Sequence, residues 1–271
     1  MVSFPNCKIN IGLQVIGRRP DGFHDLETIF YPIVLKDVLE IIDAPQNQTV
    51  SFSTSGLKID GNSDSNLCVK AYHLLKKDYP QLAGVSMHLH KLIPTGAGVG
   101  GGSADAAFTL QLLNTKYALG IDLPKLQKYA LELGSDCPFF IINKPCFASG
   151  RGEILEELAL NLSGYKIVFV HPGIHINTGW AFSMLKKTNS HQDLKALTTK
   201  PVTEWRGQIN NDFEAPVFKA HPEINLIKET LYNSGALYAA MTGSGSSLYG
   251  IFEKNSVVEL NFPPQCFYKW V

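Results

Sequence analysis

The sequence predicts an α+β protein with two layers, because strand patterns dominate the first ninety residues and helices mix with strands after them. The chain has 271 residues, of which 45% are hydrophobic and 18% charged, and this is the composition of a folded protein with a buried core. Its length fits one large domain or two modest ones. We expect two domains, 1–150 and 151–271, with the boundary near the glycine-containing turn at 149–152.

The strand signal is clearest over 8–16, where isoleucine, leucine and valine alternate with polar or small residues. Further strands are predicted over 28–34, 38–42, 50–53, 85–92, 138–142, 166–170, 236–242 and 247–252. Helical spacing predicts helices over 66–79, 103–117, 124–133, 177–187 and 223–234. Ser63 or Ser65 is expected to cap the first helix, and the polar segment 187–201 is expected to be a mobile loop.

The net charge and the short length of the apolar segments argue against several classes of partner. The 24 basic and 24 acidic residues cancel, which argues against nucleic acid or an anionic membrane as partner. No apolar run approaches the roughly 18 residues of a membrane helix, and the first residues do not resemble a signal peptide. Five scattered cysteines without a Cys-x-x-Cys pair indicate reduced thiols. We therefore expect a cytoplasmic protein that acts on small molecules.

A glycine-rich loop between a predicted strand and a predicted helix is the strongest functional signal. Five of the seven residues 96–102 are glycine, and Ser103 and the helix follow directly. Glycine allows close approach to a ligand, and the first turn of a helix offers unpaired N–H groups and a positive dipole end. The loop therefore predicts a site for nucleotide phosphates. A flexible linker, the alternative, would not run straight into an apolar helix.

Two better-known phosphate loops fit this segment poorly. A Walker A loop needs Gly-Lys-Ser or Gly-Lys-Thr, and the chain has no Gly-Lys pair. The dinucleotide fingerprint matches by letters at Gly96, Gly98 and Gly101, with Asp122 about twenty residues further on. The preceding strand, however, is not the first of a βαβ unit, and Asp122 is also placed to cap the helix that begins near Pro124.

A second glycine loop, Met-Thr-Gly-Ser-Gly-Ser-Ser at 241–247, lies between two predicted strands. It is either a tight connection or a second set of backbone donors for the same polyphosphate. Asp136 follows a predicted helix and precedes an apolar run. This position suits a general base that points into a cleft, and a turn residue is the alternative. Lys8 shares a strand face with Asn6 and Asn10, so it belongs either to a polar site or to a solvated face.

Three further motifs carry weaker signals. His24 lies in a turn with an aromatic residue and two carboxylates, where a surface role is the alternative. His88 and His90 share a strand face, but no third ligand follows at a suitable spacing, so a structural role is favoured over a metal site. Ser183 and Lys186 match Ser-x-x-Lys by chance spacing on an amphipathic helix, since the companion motifs are missing.

Taken in order, six segments resemble the GHMP small-molecule kinases. Within that superfamily they are similar to the branch that phosphorylates 4-diphosphocytidyl-2-C-methyl-D-erythritol (CDP-methylerythritol). The segments RRPDGFH and GSDCPFF are the most specific, whereas the glycine loop marks the superfamily. The six segments are NCKINIG at 6–12, RRPDGFH at 18–24, PTGAGVGGGSAD at 94–105, GSDCPFF at 134–140, HPG at 171–173 and TGSGS at 242–246.

The resemblance implies a two-domain fold with ATP and substrate in the cleft between the domains. It implies that Asp136 accepts the proton of the substrate hydroxyl, and that Lys8 keeps Asp136 ionised and offsets charge on the transferred phosphoryl group. ATP is expected to bind the loop residues Pro94, Thr95, Gly96, Ala97, Gly98, Val99, Gly100, Gly101, Gly102, Ser103 and Ala104.

The resemblance also implies the residues that hold the acceptor. Asn10 is expected at its reacting end, and Phe23 and His24 at its cytosine, by stacking and by hydrogen bonding. Phe182 is expected to supply the opposing ring, with Trp180 as the alternative. Thr178 and Gly243 are expected to contact the substrate too.

Magnesium is expected to arrive with ATP, with Ser103 as a candidate contact and no other protein ligand assigned. In several members of the superfamily an upstream glutamate binds the metal, but Glu132 is the only one in the helix before Asp136 and is not expected to do so. The chain is expected to be a monomer or a weak dimer.

Two rival functions stay open. One is another GHMP kinase, of homoserine or mevalonate type, whose substrate carries no base to stack. The other is a nucleotide-binding regulatory module without catalysis, against which the presence of both Lys8 and Asp136 argues.

Overall fold

The computed structural model describes residues 1–45, 48–59, 61–185 and 192–271. The strands are β1 Val2–Ser3, β2 Asn6–Arg18, β3 His24–Lys36, β4 Val38–Asp43, β5 Val50–Gly56, β6 Val85–Lys91, β7 Cys146–Ser149, β8 Ile154–Glu157, β9 Tyr165–His171, β10 Tyr238–Met241, β11 Leu248–Glu253 and β12 Phe267–Trp270. The helices are α1 Leu67–Asp78, α2 Gly101–Lys116, α3 Leu123–Leu133, α4 Cys137–Ile142, α5 Thr178–Ser183, α6 Leu194–Thr198, α7 Glu214–Ala220 and α8 Pro222–Asn233. The predicted α+β class is confirmed.

The first compact unit comprises Met1–Cys7, Val34–Thr95 and Gly100–Lys144. Its sheet has the strand order β1-β4-β6-β5, in which only β5 and β6 run parallel. Residues of β6 alternate between buried and half-buried, as expected for a strand with one face on a core. Helices α1, α2, α3 and α4 pack against one another beside this sheet.

The second compact unit comprises Lys8–Ile33, Gly96–Val99 and Pro145–Val271. It contains an antiparallel sheet of order β10-β11-β9-β12, on which α8 packs, and most of a sheet of order β2-β3-β7-β8. Apolar residues of β9, β11, α7 and α8 share one core, for example Val168, Val217 and Leu231. The two units interleave along the chain, and the single boundary near residue 150 stays a prediction.

The prediction of a strand over 138–142 is wrong, because these residues form the short helix α4. A buried apolar run of this length has the same composition in a strand and in a helix. Pro138 lies at the first turn of α4, where its missing N–H costs nothing. The cap of α1 was also misplaced, since the side chain of Asn66, rather than that of Ser63 or Ser65, accepts from the N–H of Cys68 at 2.9 Å.

The helix predicted over 177–187 is α5, which ends at Ser183. The segment 187–201 was predicted to be a mobile loop, but Leu194–Thr198 within it form helix α6, and the side chain of Leu194 is buried. Residues 187–191 lie outside the described residues. Strands β7, β8 and β12 and helix α7 were missed, as they are short and weakly patterned.

No helix in the described ranges is long and apolar enough to cross a membrane. All five cysteines are free thiols, and Cys266 is the only one that is not buried.

Candidate active site

The first half of the glycine loop, Gly96–Val99, lies against the second glycine loop within the second unit. Gly98 has φ of 73°, and a Cβ there would lie 2.6 Å from the carbonyl oxygen of Thr242. Gly243 has φ of 59°, and its Cβ would lie 2.8 Å from the carbonyl oxygen of Gly98. Side chains at either position would therefore push the two backbones apart. The structure brings the two loops together, as the shared-polyphosphate interpretation requires.

The second half of the loop starts helix α2 in the first unit. Gly100 has φ of 69° and is the N-cap of α2, and as a glycine it has no side chain that could cap the first turn. The first N–H groups of an α-helix have no partner within the helix, so this turn is suited to bind an anion. A Cβ at Gly101 would lie 2.9 Å from Ile93 Cγ2 and 3.3 Å from Lys91 Nζ, which explains the glycine there.

A buried ion cluster lies beneath this turn, and sequence reasoning missed it. Lys91 Nζ donates to Asp37 Oδ2 at 2.5 Å and to Asp105 Oδ2 at 2.7 Å. Asp37 Oδ1 also accepts the N–H groups of Leu92 and Ile93 at 2.6 and 2.8 Å. The cluster ties β6, the loop that follows it and α2 into one rigid support for the glycine turn.

The charges of this cluster are coupled. Burial alone would lower the pKa of Lys91, but the carboxylates of Asp105 and Asp37 raise it above its usual value. Burial raises the pKa of Asp105 to about 7, and Lys91 opposes the rise. Asp105 Oδ1 is buried without a hydrogen-bond partner among the described residues, so the ionised form of this carboxyl is only partly compensated for its burial.

Lys8 and Asn10 are buried on β2, with 3% and 2% of their surfaces exposed. The interpretation of Lys8 as part of a solvated strand face is therefore wrong. Lys8 Nζ donates to Asn10 Oδ1 at 2.7 Å and lies 4.3 Å from the centre of the Phe30 ring. The backbone N–H of Lys8 donates to the carbonyl of Val99 at 3.0 Å, which anchors the glycine loop to β2.

Thr242 joins Asn10 to the glycine loop. Its hydroxyl accepts the backbone N–H of Asn10 at 3.0 Å and lies 3.2 Å from Asn10 Oδ1 and 3.3 Å from the carbonyl of Gly98. Asn211 holds the residues on both sides of Thr242, because its amide donates to the carbonyls of Met241 and Gly243 at 2.8 and 2.9 Å. No sequence pattern marks Asn211, since a lone asparagine belongs to no motif.

Asp136 lies in the first unit, half-buried between α3 and α4. Asp136 lies in the turn before α4, but within the described chain its carboxylate does not cap that helix, and Pro138 has no N–H to offer it. The next residue, Cys137, shares a hydrogen bond with Ser103 of the glycine loop, and burial raises the pKa of its thiol to about 12. Asp136 therefore lies close to the start of α2.

The aromatic residues expected at cytosine are arranged differently from a simple pair of opposing rings. His24 stacks on Phe182, with ring centres 4.6 Å apart and planes at 18°. The Phe23 ring faces the guanidinium of Arg151, at 4.7 Å from its centre. The structure therefore pairs Phe182 with His24, and the 4.6 Å between their ring centres leaves no room for a base between these two rings.

Two other residues near α5 take separate roles. The Thr178 hydroxyl lies 3.1 Å from that of Ser244 in the second glycine loop. Trp180 makes an edge contact with His221, with ring centres 6.3 Å apart. Of these two aromatic residues, the described contacts pair Phe182 with His24.

A cavity of about 390 Å³ in the first unit adjoins the glycine turn. Its walls combine apolar and polar side chains and include Phe52, Thr54, Asn62, Asn66, Gly102 and Asp105. Sequence reasoning missed it because its residues come from β5, from the turn before α1 and from α2.

The remaining motifs have structural roles. His88 hydrogen-bonds Ser53 and Ser55 at 2.9 and 2.8 Å, and His90 also reaches Ser55 at 2.9 Å. No group of three histidine, cysteine or carboxylate residues in the described ranges could hold a metal ion. Asp122 caps α3 through the N–H of Lys125 at 2.9 Å, which confirms that role. Ser183 bonds the carbonyl of Trp180, and Lys186 lies outside the described residues.

Known proteins are similar to this chain in sequence. The family model described as GHMP kinases N terminal domain matches residues 66–144, and the model described as GHMP kinases C terminal matches 194–260. The 4-diphosphocytidyl-2-C-methyl-D-erythritol kinase of Bacteroides fragilis is 49% identical over 97% of this chain and 96% of its own. That of Bacteroides thetaiotaomicron is 47% identical over 93% of this chain and 92% of its own.

Solved structures agree with the sequence relatives. A crystal structure of 4-(cytidine 5'-diphospho)-2C-methyl-D-erythritol kinase has a TM-score of 0.80 at 31% identity, over 94% of this chain and 91% of that one. A homoserine kinase from Cytophaga hutchinsonii has a TM-score of 0.69 at 14% identity, over 93% and 86%, and so shares the fold alone. The chain therefore belongs to the GHMP kinases, in the family of the 4-diphosphocytidyl-2-C-methyl-D-erythritol kinases.

Proposed function

We propose that this chain transfers the γ-phosphoryl group of ATP to the 2-hydroxyl of CDP-methylerythritol, a step of the non-mevalonate route to isoprenoid precursors. The observation that carries the proposal is the buried chain of contacts from Lys8 through Asn10 and Thr242 to Gly98. It connects a lysine suited to phosphoryl transfer with the loop suited to phosphate binding. The names of relatives that match 93% or more of the chain support the choice of acceptor.

The phosphates are bound by the backbone N–H groups of residues 98–103, at the positive end of α2. The cavity that adjoins Gly102 receives the nucleoside of ATP, since Gly102 belongs to the turn proposed to bind the phosphates. Its apolar wall suits a base, and its asparagine and serine residues suit hydrogen bonding to the base or the ribose.

Magnesium would enter with ATP, as the counter-ion of its phosphates. Phosphate oxygens are its natural ligands, and the Ser103 hydroxyl is the protein group placed in the phosphate turn. When bound, the ion neutralises phosphate charge.

In the chemical step, the 2-hydroxyl oxygen attacks the γ-phosphorus, the bond to the β–γ bridging oxygen breaks, and ADP leaves. Asp136 accepts the hydroxyl proton. The Lys8 ammonium offsets charge on the transferred group, and its burial makes that effect larger than it would be in water. Asn10 positions the acceptor, while Phe23, His24 and Phe182 hold its cytosine.

The test measures ADP formation with CDP-methylerythritol, homoserine and mevalonate as acceptors, with Asp136→Asn as the inactive control. We expect turnover with CDP-methylerythritol alone, since the other two acceptors have no base to stack. Equal turnover with homoserine or mevalonate would assign the chain to another branch of the GHMP kinases. ATP binding without turnover of any acceptor would favour a regulatory module.

A further inference from the structure

We propose that Arg151 is a positioning residue for the cytidine part of the substrate, because its guanidinium supports the ring of Phe23. This inference rests on the proposed function, in which Phe23 stacks on cytosine. It concerns a residue outside the motifs that identify the family. Its basis is the geometry of two turns at the same end of one sheet.

Strand pairing brings the two turns together. Strand β3 pairs with β7 in a register that sets Thr28 opposite Ala148, and the N–H of Leu26 donates to the carbonyl of Gly150 at 2.7 Å. The turn between β7 and β8 therefore lies beside the start of β3. This register brings the Arg151 guanidinium carbon to 4.7 Å from the centre of the Phe23 ring.

Phe23 needs such a support because no core holds it. Its side chain is an exposed large apolar group, with 53% of its surface accessible, at the tip of the turn between β2 and β3. Arg151 is better fixed, since its backbone N–H donates to Glu153 Oε2 at 2.5 Å and the Nε of its guanidinium lies 3.6 Å from Glu153 Oε1. The guanidinium is therefore held from its own turn and covers one face of the ring.

A ring with a cation on one face is prepared to stack on its other face. The guanidinium is attracted by the ring's negative face and restricts the rotation that an exposed phenylalanine would otherwise keep. Cytosine then binds the opposite face without the entropy cost of fixing the ring first. Phe23 has no hydroxyl through which its orientation could be set, so the support comes from Arg151.

The experiment measures kcat, KM for each substrate, and equilibrium binding of CDP-methylerythritol for Arg151→Met and Arg151→Lys. Methionine is an unbranched side chain without the charge, and lysine keeps the charge but lacks the planar guanidinium. We expect Arg151→Met to raise KM and Kd for CDP-methylerythritol about three- to tenfold, with kcat and the KM for ATP unchanged. Arg151→Lys should recover part of the loss.

Arg206→Met is the matched control. Its guanidinium lies 4.1 Å from the centre of the Tyr232 ring, which is the same contact elsewhere in the second unit. It should leave CDP-methylerythritol binding unchanged. The Phe23→Leu background tests the route of action, because Arg151→Met should have no further effect once the ring is gone.

Unchanged binding by Arg151→Met would overturn the inference, as would an undiminished effect in the Phe23→Leu background. The second outcome would mean that the guanidinium contacts the substrate itself, for example its diphosphate. Failure of the wild-type protein to bind CDP-methylerythritol would instead overturn the proposed function, so the two failures are distinguishable.

Discussion

At the scale of single residues, the chemical step is assigned to Asp136 and Lys8. Asp136→Asn keeps the shape and removes the base, and Lys8→Ala removes the charge that balances the phosphoryl oxygens. We expect each to lower kcat by at least about 10²-fold, while CDP-methylerythritol still binds. If both act on the same step, the double variant loses little more than the worse single variant. Steady-state kinetics and equilibrium binding of all three variants measure this.

Lys8 is buried, so a loss of activity on truncation also needs a folding control. Lys8→Met retains most of the side-chain volume against Phe30, and its thermal unfolding should remain close to that of the wild type. Near-normal turnover in Asp136→Asn would refute its role as base. If the losses of kcat in the two single variants add fully in the double variant, Lys8 and Asp136 keep their assigned roles but do not act as a coupled pair.

Phe23 and Phe182 are expected to hold the cytosine, and each stack is worth about 1–3 kcal/mol by analogy with aromatic–base stacking. Alanine at either position should raise the KM for CDP-methylerythritol about tenfold or more, and barely change that for ATP. His24 covers one face of Phe182, so binding at that face must first separate these two rings. Phe182 also packs on Phe213, and equal losses for both substrates would point to this packing instead.

At the scale of elements, the glycine loop depends on backbone geometry that only glycine adopts freely. Gly100 has φ of 69° at the N-cap of α2, where a β-branched residue is strained. Gly100→Val should therefore abolish ATP binding, measured by calorimetry, while circular dichroism shows a folded chain. Gly164→Ala is the control, because a Cβ there meets no described atom within 4 Å and should leave binding unchanged. Normal ATP binding by Gly100→Val would show that the glycine loop is not part of the nucleotide site.

At the scale of the whole molecule, the buried cluster of Asp37, Lys91 and Asp105 predicts a pH dependence of stability. The pKa of Asp105 is raised from 3.8 to about 7 in the folded protein. Between these values the folded protein binds a proton that the unfolded chain has lost, so this contribution to the free energy of unfolding falls as pH rises from about 4 to 7. The raised pKa of Lys91 acts only in alkaline solution.

Asp105→Asn keeps the size and lacks this titration. We expect it to gain stability relative to the wild type between pH 5 and pH 8, in denaturant unfolding followed at each pH. Asp122→Asn is a control at an exposed cap and should show no such gain. A constant difference between Asp105→Asn and wild type across this range would contradict the raised pKa.

The sequence by itself determined the α+β class, the family and a helix next to the glycine loop, because these depend on local spacing and on residues that are close in the chain. The helix was predicted from Ser103 but begins at Gly101, within the loop. It misassigned α4, since a short apolar run fits a buried helix as well as a strand. Only the tertiary structure decided the burial of Lys8 and the ion cluster around Lys91. The contacts of Thr242 with Asn10 join residues that are 232 positions apart. No local sequence pattern predicts such a contact, because local spacing does not determine which distant segments meet in the folded chain.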